Sequence, residues 1–202
     1  MSTSTVVKVA IFAAVSVPLM LLDFPLPIFV NFLKMDFSDV PAIVAALALG
    51  PIAGVLTELI KNLVKMLFKF QSGGIGEIAN FLIGSAYVLP LGLIYHKGFT
   101  KKSVDKVHSN NISIFIGAFV GSICMVVFAS LLNYVFLIPA YAKIFGMPIE
   151  TFVEMGHALN ASINDMKTLV LLSVAPFNIV KAIVMSVIGI ILYRLLGRFL
   201  NR

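Results

Sequence analysis

The 202-residue chain contains no tryptophan, one cysteine and only nine acidic residues. One thiol, Cys124, makes neither an internal disulfide nor a metal site. It reads as a small buried apolar residue. Charged residues are 12% of the chain and hydrophobic ones 60%, with a mean hydropathy of +1.05. No soluble domain of this size needs so much apolar surface, so the composition indicates an integral membrane protein. Six spans of about 20 residues use roughly 120 residues. What is left suffices for loops but not for a second domain, so residues 1–202 read as a single membrane domain.

Several motifs are also missing. There is no G-x-x-x-x-G-K-[ST], so ATP has no P-loop to bind. Gly73-Gly74-Ile75-Gly76 lacks the Lys-Ser/Thr that would follow and reads as a turn. His96, His108 and His157 fall at or outside the ends of the apolar segments. No segment carries a His/Glu metal cluster or a Ser/Lys dyad. An enzyme, a metal site and a catalytic cofactor are therefore not expected. The net charge is +6, but the basic residues gather at segment ends and the aromatics sit inside apolar runs. Nucleic acid is rejected as a partner; the lipid bilayer is the expected surrounding. No strong internal repeat favours a large inverted-repeat transporter. Asn111-Ile-Ser and Asn160-Ala-Ser fit the glycosylation pattern and read as chance matches.

The apolar segments predict six helices, at about 5–22, 39–49, 51–70, 75–96, 111–138 and 168–199, giving an all-α membrane bundle. Lys8 before an apolar stretch resembles a signal peptide. No small-x-small cleavage site follows it, and the segment is kept as the first helix. The second helix is short for a full span, and Gly50-Pro51 forms a tight joint, with proline placed to open the next helix. Loop charges set orientation. Lys97, Lys101, Lys102 and Lys106 outweigh Asp105 in the 97–108 loop, and Arg194, Arg198 and Arg202 close the chain. Asp23, Asp36 and Asp39 outweigh Lys34 around 23–39. Glu150, Glu154 and Asp165 outweigh Lys143 and Lys167 in 139–167. Both termini and the 97–108 loop are thus expected in the cytoplasm, with the chain a multi-pass protein of the plasma membrane. Lys65 and Lys69 oppose the rule, and either snorkel outward or serve an anionic ligand.

Polar groups in hydrocarbon are costly and survive where they pair or line a cavity. Asn178 and Lys181 share one face of the last helix. Lys181 is flanked by apolar residues, and Pro176 just before it frees a backbone carbonyl. Lys181 needs water, a ligand or a carboxylate, with Glu58 or Glu77 the candidates for an ion pair. Asn133 on the fifth helix offers donors and an acceptor, to a ligand or to a neighbouring helix. Glu58, Lys61 and Asn62 lie at i, i+3 and i+4, where Glu58 and Lys61 can neutralise each other or bind. Glu77 and Asn80 open the fourth helix on one face, and a carboxylate there suits the helix dipole. The 23–38 loop mixes Phe24, Phe29, Phe32 and Phe37 with prolines. It reads as a lid over a pocket, whose aromatic faces suit a flat ring, or as packing at the lipid interface. Asp39 before Pro41 could cap the second helix, a role not open to Asp36.

Over residues 34–84, the elements Phe37-Ser38-Asp39-Val40-Pro41, Gly50-Pro51, Glu58-x-x-Lys61-Asn62 and Gly76-Glu77-x-x-Asn80-Phe81 occur in an order that resembles the riboflavin-binding S components of energy-coupling factor (ECF) vitamin transporters. The late Asn178-x-x-Lys181 matches that family's ligand-contacting pair. The resemblance implies capture of riboflavin, or a close flavin such as FMN, as transported ligand. Together with the residues' own chemistry, it gives a candidate substrate site drawn from Asn133, Asn178, Lys181, Glu77, Asn80, Asp36, Asp39, Phe37, Lys61 and Asn62. It also implies a transmembrane coupling protein and two cytoplasmic ATPases, with the coupling protein docked on the alanine-rich face of the first helix at Ala10 and Ala14. An S component for another vitamin, such as thiamine or biotin, is the alternative. An intramembrane enzyme acting on a lipid lacks the paired groups it needs.

Overall fold

The computed structural model describes residues 1–68, 73–97 and 106–200, with side chains excluded at 106–110 and 197–200. Lys69, Lys101, Lys102, Asp105 and Arg202, named above, lie outside the described residues, as do the side chains of Lys106, His108 and Arg198. The elements are α1 (Thr3–Leu21), the two-residue strands β1 (Phe24–Pro25) and β2 (Lys34–Met35), α2 (Asp39–Leu49), α3 (Pro51–Phe68), α4 (Ile75–Lys97), α5 (Lys106–Leu132), α6 (Ile138–Phe145), α7 (Ile149–His157), α8 (Met166–Leu169) and α9 (Ala175–Leu200). Short π-helical turns, Asn133–Leu137 and Val170–Val174, join α5 to α6 and α8 to α9.

The bundle is built around the 11-residue α2. Every residue of α2 from Asp39 to Leu47 is buried, and α2 packs against α1, α3, α4 and α9. Small side chains make this central place accessible. A Cβ on Gly54 of α3 would stand 2.6 Å from that of Ala46, so the α2–α3 backbones approach closely, as small residues allow between membrane helices. The joint between them is tight as expected. Gly50 has φ +108°, a region open to glycine, and Pro51 opens α3, where a missing N–H costs nothing.

Four helical stretches among the described residues are long and apolar enough to cross a membrane: Thr3–Leu21, Ile75–Lys97, Asn111–Phe145 and Met166–Leu196. The 11-residue α2 is too short for that class, and α3 carries Glu58, Lys61 and Lys65 within 18 residues. The protein is a helical membrane protein. Several hydroxyls inside the helices bond back to the carbonyl one turn earlier: Ser16 to Phe12 at 2.9 Å, Thr57 to Ala53 at 2.9 Å and Ser122 to Ala118 at 2.7 Å. This keeps polar atoms satisfied where no water is available.

Two expectations need correction. The helix expected to end near 138 continues through its π turn to Phe145, and the last begins at Met166. The 139–167 stretch is therefore not a plain loop, because α7 also lies in it. α7 buries Phe152 and Gly156, an i, i+4 face that an amphipathic helix turns to the core. The prolines explain the π turns. Pro139 and Pro176 each stand two residues beyond one. A proline ring clashes with the carbonyl four residues back, here that of Val135 or Leu172, each within the widened turn.

Candidate functional site

The α1–α2 connection folds back onto the bundle instead of trailing into solvent. Its ends pair as a minimal antiparallel ribbon, Phe24 with Met35 and Pro25 with Lys34. The strands were not anticipated from the sequence. Val30, Leu33 and Met35 are buried. Phe29 meets Phe177 of α9 edge-on at 5.5 Å between ring centres, and Phe32 meets Phe152 of α7 at 5.7 Å. Asp23 lies 3.6 Å from Lys34 and 3.7 Å from Lys65 of α3. The connection is thus held by aromatic contacts and by charge.

Beneath it lies a cavity of about 350 Å³, within the range of small-molecule sites. The connection contributes Asp23, Phe32, Lys34 and Asp36, and α3 contributes Lys65. From α4 come Glu77, Ala79, Asn80 and Ile83. The first π turn and α6 add Asn133, Leu137, Tyr141 and Phe145; α7 adds Phe152, and α9 adds Phe177, Asn178 and Lys181. The two π turns touch each other, which brings Asn133 and Asn178 to the same chamber from different helices.

Both asparagines use the amide in the same way. Asn133 Nδ2 donates to the Ala129 carbonyl and Asn178 Nδ2 to that of Val174, each at 2.8 Å. With one N–H of each amide turned to its own helix, the other N–H and the amide oxygen are left to meet a ligand. Lys181 is 5% exposed and supplies donors there. Six of the ten expected ligand residues therefore line one space: Asn133, Asn178, Lys181, Glu77, Asn80 and Asp36.

The other four do not line it. Phe37 is half-buried against Phe24, with 6.2 Å between ring centres. Asp39, Lys61 and Asn62 sit behind the cavity in a buried polar cluster. Lys61 Nζ bonds Ser38 Oγ at 2.9 Å, contacts Asp39 Oδ1, and lies 2.9 Å from Glu58 Oε2. Asp39 Oδ2 lies 2.9 Å from Lys181 Nζ. The partner of Lys181 is thus neither Glu58 nor Glu77, because the start of α2 is wedged between α3 and α9. Two cations and two carboxylates balance in this cluster, as burial of charge demands. Glu58 Oε1 and Asn62 Oδ1 have no hydrogen-bond partner, while Asn62 Nδ2 donates to the Glu58 carbonyl at 2.8 Å. Glu58 is pressed against Gly84 of α4, where a Cβ would collide with its carboxylate.

The roles of the two loop aspartates also reverse. Ser38, not Asp39, precedes the first helical residue and makes no side-chain cap. Asp36 has the local role denied to it above, accepting the Ser38 N–H at 2.8 Å, the side-chain turn common for aspartate. Sequence reasoning did not single out Tyr141, Phe145, Phe152 or Phe177 as cavity groups. The spacing of Phe152 and Gly156 was the available signal for α7.

A chamber of aromatic rings and convergent polar groups, roofed by the connection between the first two helices, defines a membrane protein that captures a small molecule. The family described as "ECF transporter, substrate-specific component" matches residues 4–193, and this chain belongs to it. It is 33% identical over 196 residues to the riboflavin transporter RibU of Staphylococcus aureus (strain TCH60), covering 97% of this chain and 92% of that one. It is equally 33% identical over 190 residues to the riboflavin transporter FmnP of Bacillus subtilis (strain 168), covering 93% and 89%. The fold matches a solved structure described as the S component of a bacterial ECF transporter, with a TM-score of 0.75, 31% identity and full coverage of both chains. As a transporter's substrate-specific component the chain is not an enzyme, and the resemblance drawn from residues 34–84 extends across nearly the whole chain.

Proposed function

We propose that this protein captures riboflavin, or a close flavin such as FMN, from the outer side of the plasma membrane, as a transported ligand and not a cofactor. The observation that carries the reading is the meeting of Asn133, Asn178 and Lys181 with aromatic rings from four elements around one cavity of about 350 Å³. A flavin is a flat apolar ring with a polar edge and a hydroxylated chain. Rings match its faces, and asparagine oxygens and a lysine ammonium match its donors and acceptors. The names of the relatives support the same ligand. The chain crosses the membrane six times in this reading, with both termini cytoplasmic, as the loop charges favour.

The site binds but supplies no energy, so accumulation requires a transmembrane coupling protein and two cytoplasmic ATPases. Ala10 and Ala14 are both exposed on α1, a small-residue face on which a partner helix can pack closely. Accumulation that persists without the ATPases would contradict this division of labour. The ligand is tested by titrating the purified chain in detergent and following the flavin's own fluorescence. Saturable quenching at one flavin per chain, undisturbed by thiamine or biotin, is expected. Absence of quenching by folded protein would discard the flavin.

A further inference from the structure

Lys181 reaches the cavity from α9 with its side chain almost wholly buried, and its ion-pair partner, Asp39, does not line that cavity. The two oxygens of Asp39 are divided: Oδ1 faces Lys61 and Oδ2 faces Lys181. Lys61 is itself held by Ser38 and Glu58. The carboxylate is thus fixed from behind by groups that never meet the cavity. A free lysine side chain has large rotamer freedom, and its ammonium carries three donors. Anchoring one donor on a fixed carboxylate leaves the others aimed at the chamber.

We propose that Asp39 is a positioning residue: it touches no ligand, and it holds the Lys181 ammonium in the orientation that binds one. The inference rests on ligand capture at this cavity. Asp39 also begins α2 where the connection ends, so the same carboxylate ties the lysine on α9 to the segment that roofs the site.

A double-mutant cycle with Asp39→Asn and Lys181→Met, read by flavin titration, tests this. Losing the partner of a buried ion pair should weaken flavin binding by about tenfold or more. In the Lys181→Met background the same Asp39→Asn change should cost nothing further, because there is no ammonium left to position. An equal factor in both backgrounds would overturn the proposal, since it would mean direct contact or general damage. Asp39→Glu, which keeps the charge, should recover part of the affinity. A second readout needs no ligand: acetylation of Lys181 by acetic anhydride in ligand-free protein, followed by mass spectrometry. Release from Asp39 should speed it several-fold in Asp39→Asn, or in Asp39→Ser if the first variant does not fold; an unchanged rate overturns the proposal. If the wild-type chain binds no flavin, the flavin reading fails on its own, and the acetylation rates still decide the role of Asp39.

Discussion

Two groups of buried polar residues lie side by side in this bundle and solve the same physical problem differently. On α2 and α3, Asp39, Glu58, Lys61 and Asn62 turn toward one another, and Lys61 is 0% exposed. On α9 and the first π turn, Asn133 and Asn178 each give one N–H to their own helix and line a cavity that Lys181 also lines. The first group neutralises its charges only together with Lys181 and leaves Glu58 Oε1 and Asn62 Oδ1 without a hydrogen-bond partner, while the second lines a cavity that another molecule can fill. Buried polarity in a membrane helix is therefore not itself a sign of binding; lining a cavity distinguishes a site from a support.

The largest effect should come from breaking the first group. Lys61→Met leaves Asp39 sharing only Lys181 and strands Glu58, and removing one partner of a buried ion pair costs about 3–5 kcal/mol. We expect a steep loss of folded protein on thermal unfolding in detergent. Lys181→Met should weigh on binding more than on the fold. Asp39 keeps Lys61 and Glu58 keeps its partner, so stability falls less than in Lys61→Met, while flavin affinity drops by more than about tenfold. Equal losses of stability in the two variants would erase the distinction between the groups. Gly84→Ala sharpens it further, because the added methyl collides with Glu58, and overpacking costs about 1–3 kcal/mol. It should lower the melting temperature and leave affinity in the surviving fold close to wild type.

The smallest effect lies outside the spans and serves as a control on both groups. Asp165 caps α8 by accepting from the Thr168 N–H at 2.7 Å, and its carboxyl is held below the usual aspartate range chiefly by the hydrogen bonds from Thr168. A depressed folded value means that the stabilisation is present above the ordinary aspartate pKa and is lost as the pH falls through the lowered one. Asp165→Ala should remove the capping box and flatten that acidic part of the stability profile, with flavin binding at neutral pH unchanged.

Much of this was legible in the chain before its structure. Apolar runs and their Gly-Pro joint marked α2 and α3 closely, since a glycine with positive φ and a proline at a helix start are local effects. The face shared by Asn178 and Lys181 followed from helical periodicity alone. What was not legible depended on distance. Nothing in the sequence says that Asp39, at the start of a short helix, reaches Lys181 some 140 residues later; the packing of α2 against α9 decides it. The continuation of α5 into α6 was hidden because Pro139 reads as a stop, while the π turn accommodates it. α7 was hidden because charge counting treated 139–167 as one loop. Pro139 and Pro176, each in an apolar segment, were the visible trace of the two π turns that bring the asparagines together.

The central claim is that the wall formed by the first π turn and α9 is where the ligand is bound. It is tested most directly by flavin titration of the Asn178→Ala/Lys181→Met double variant, with folding confirmed by a single cooperative unfolding transition above the assay temperature. The account predicts that saturable quenching at one flavin per chain is lost at concentrations that saturate the wild type. Wild-type affinity in the folded double variant would contradict it and place the flavin elsewhere.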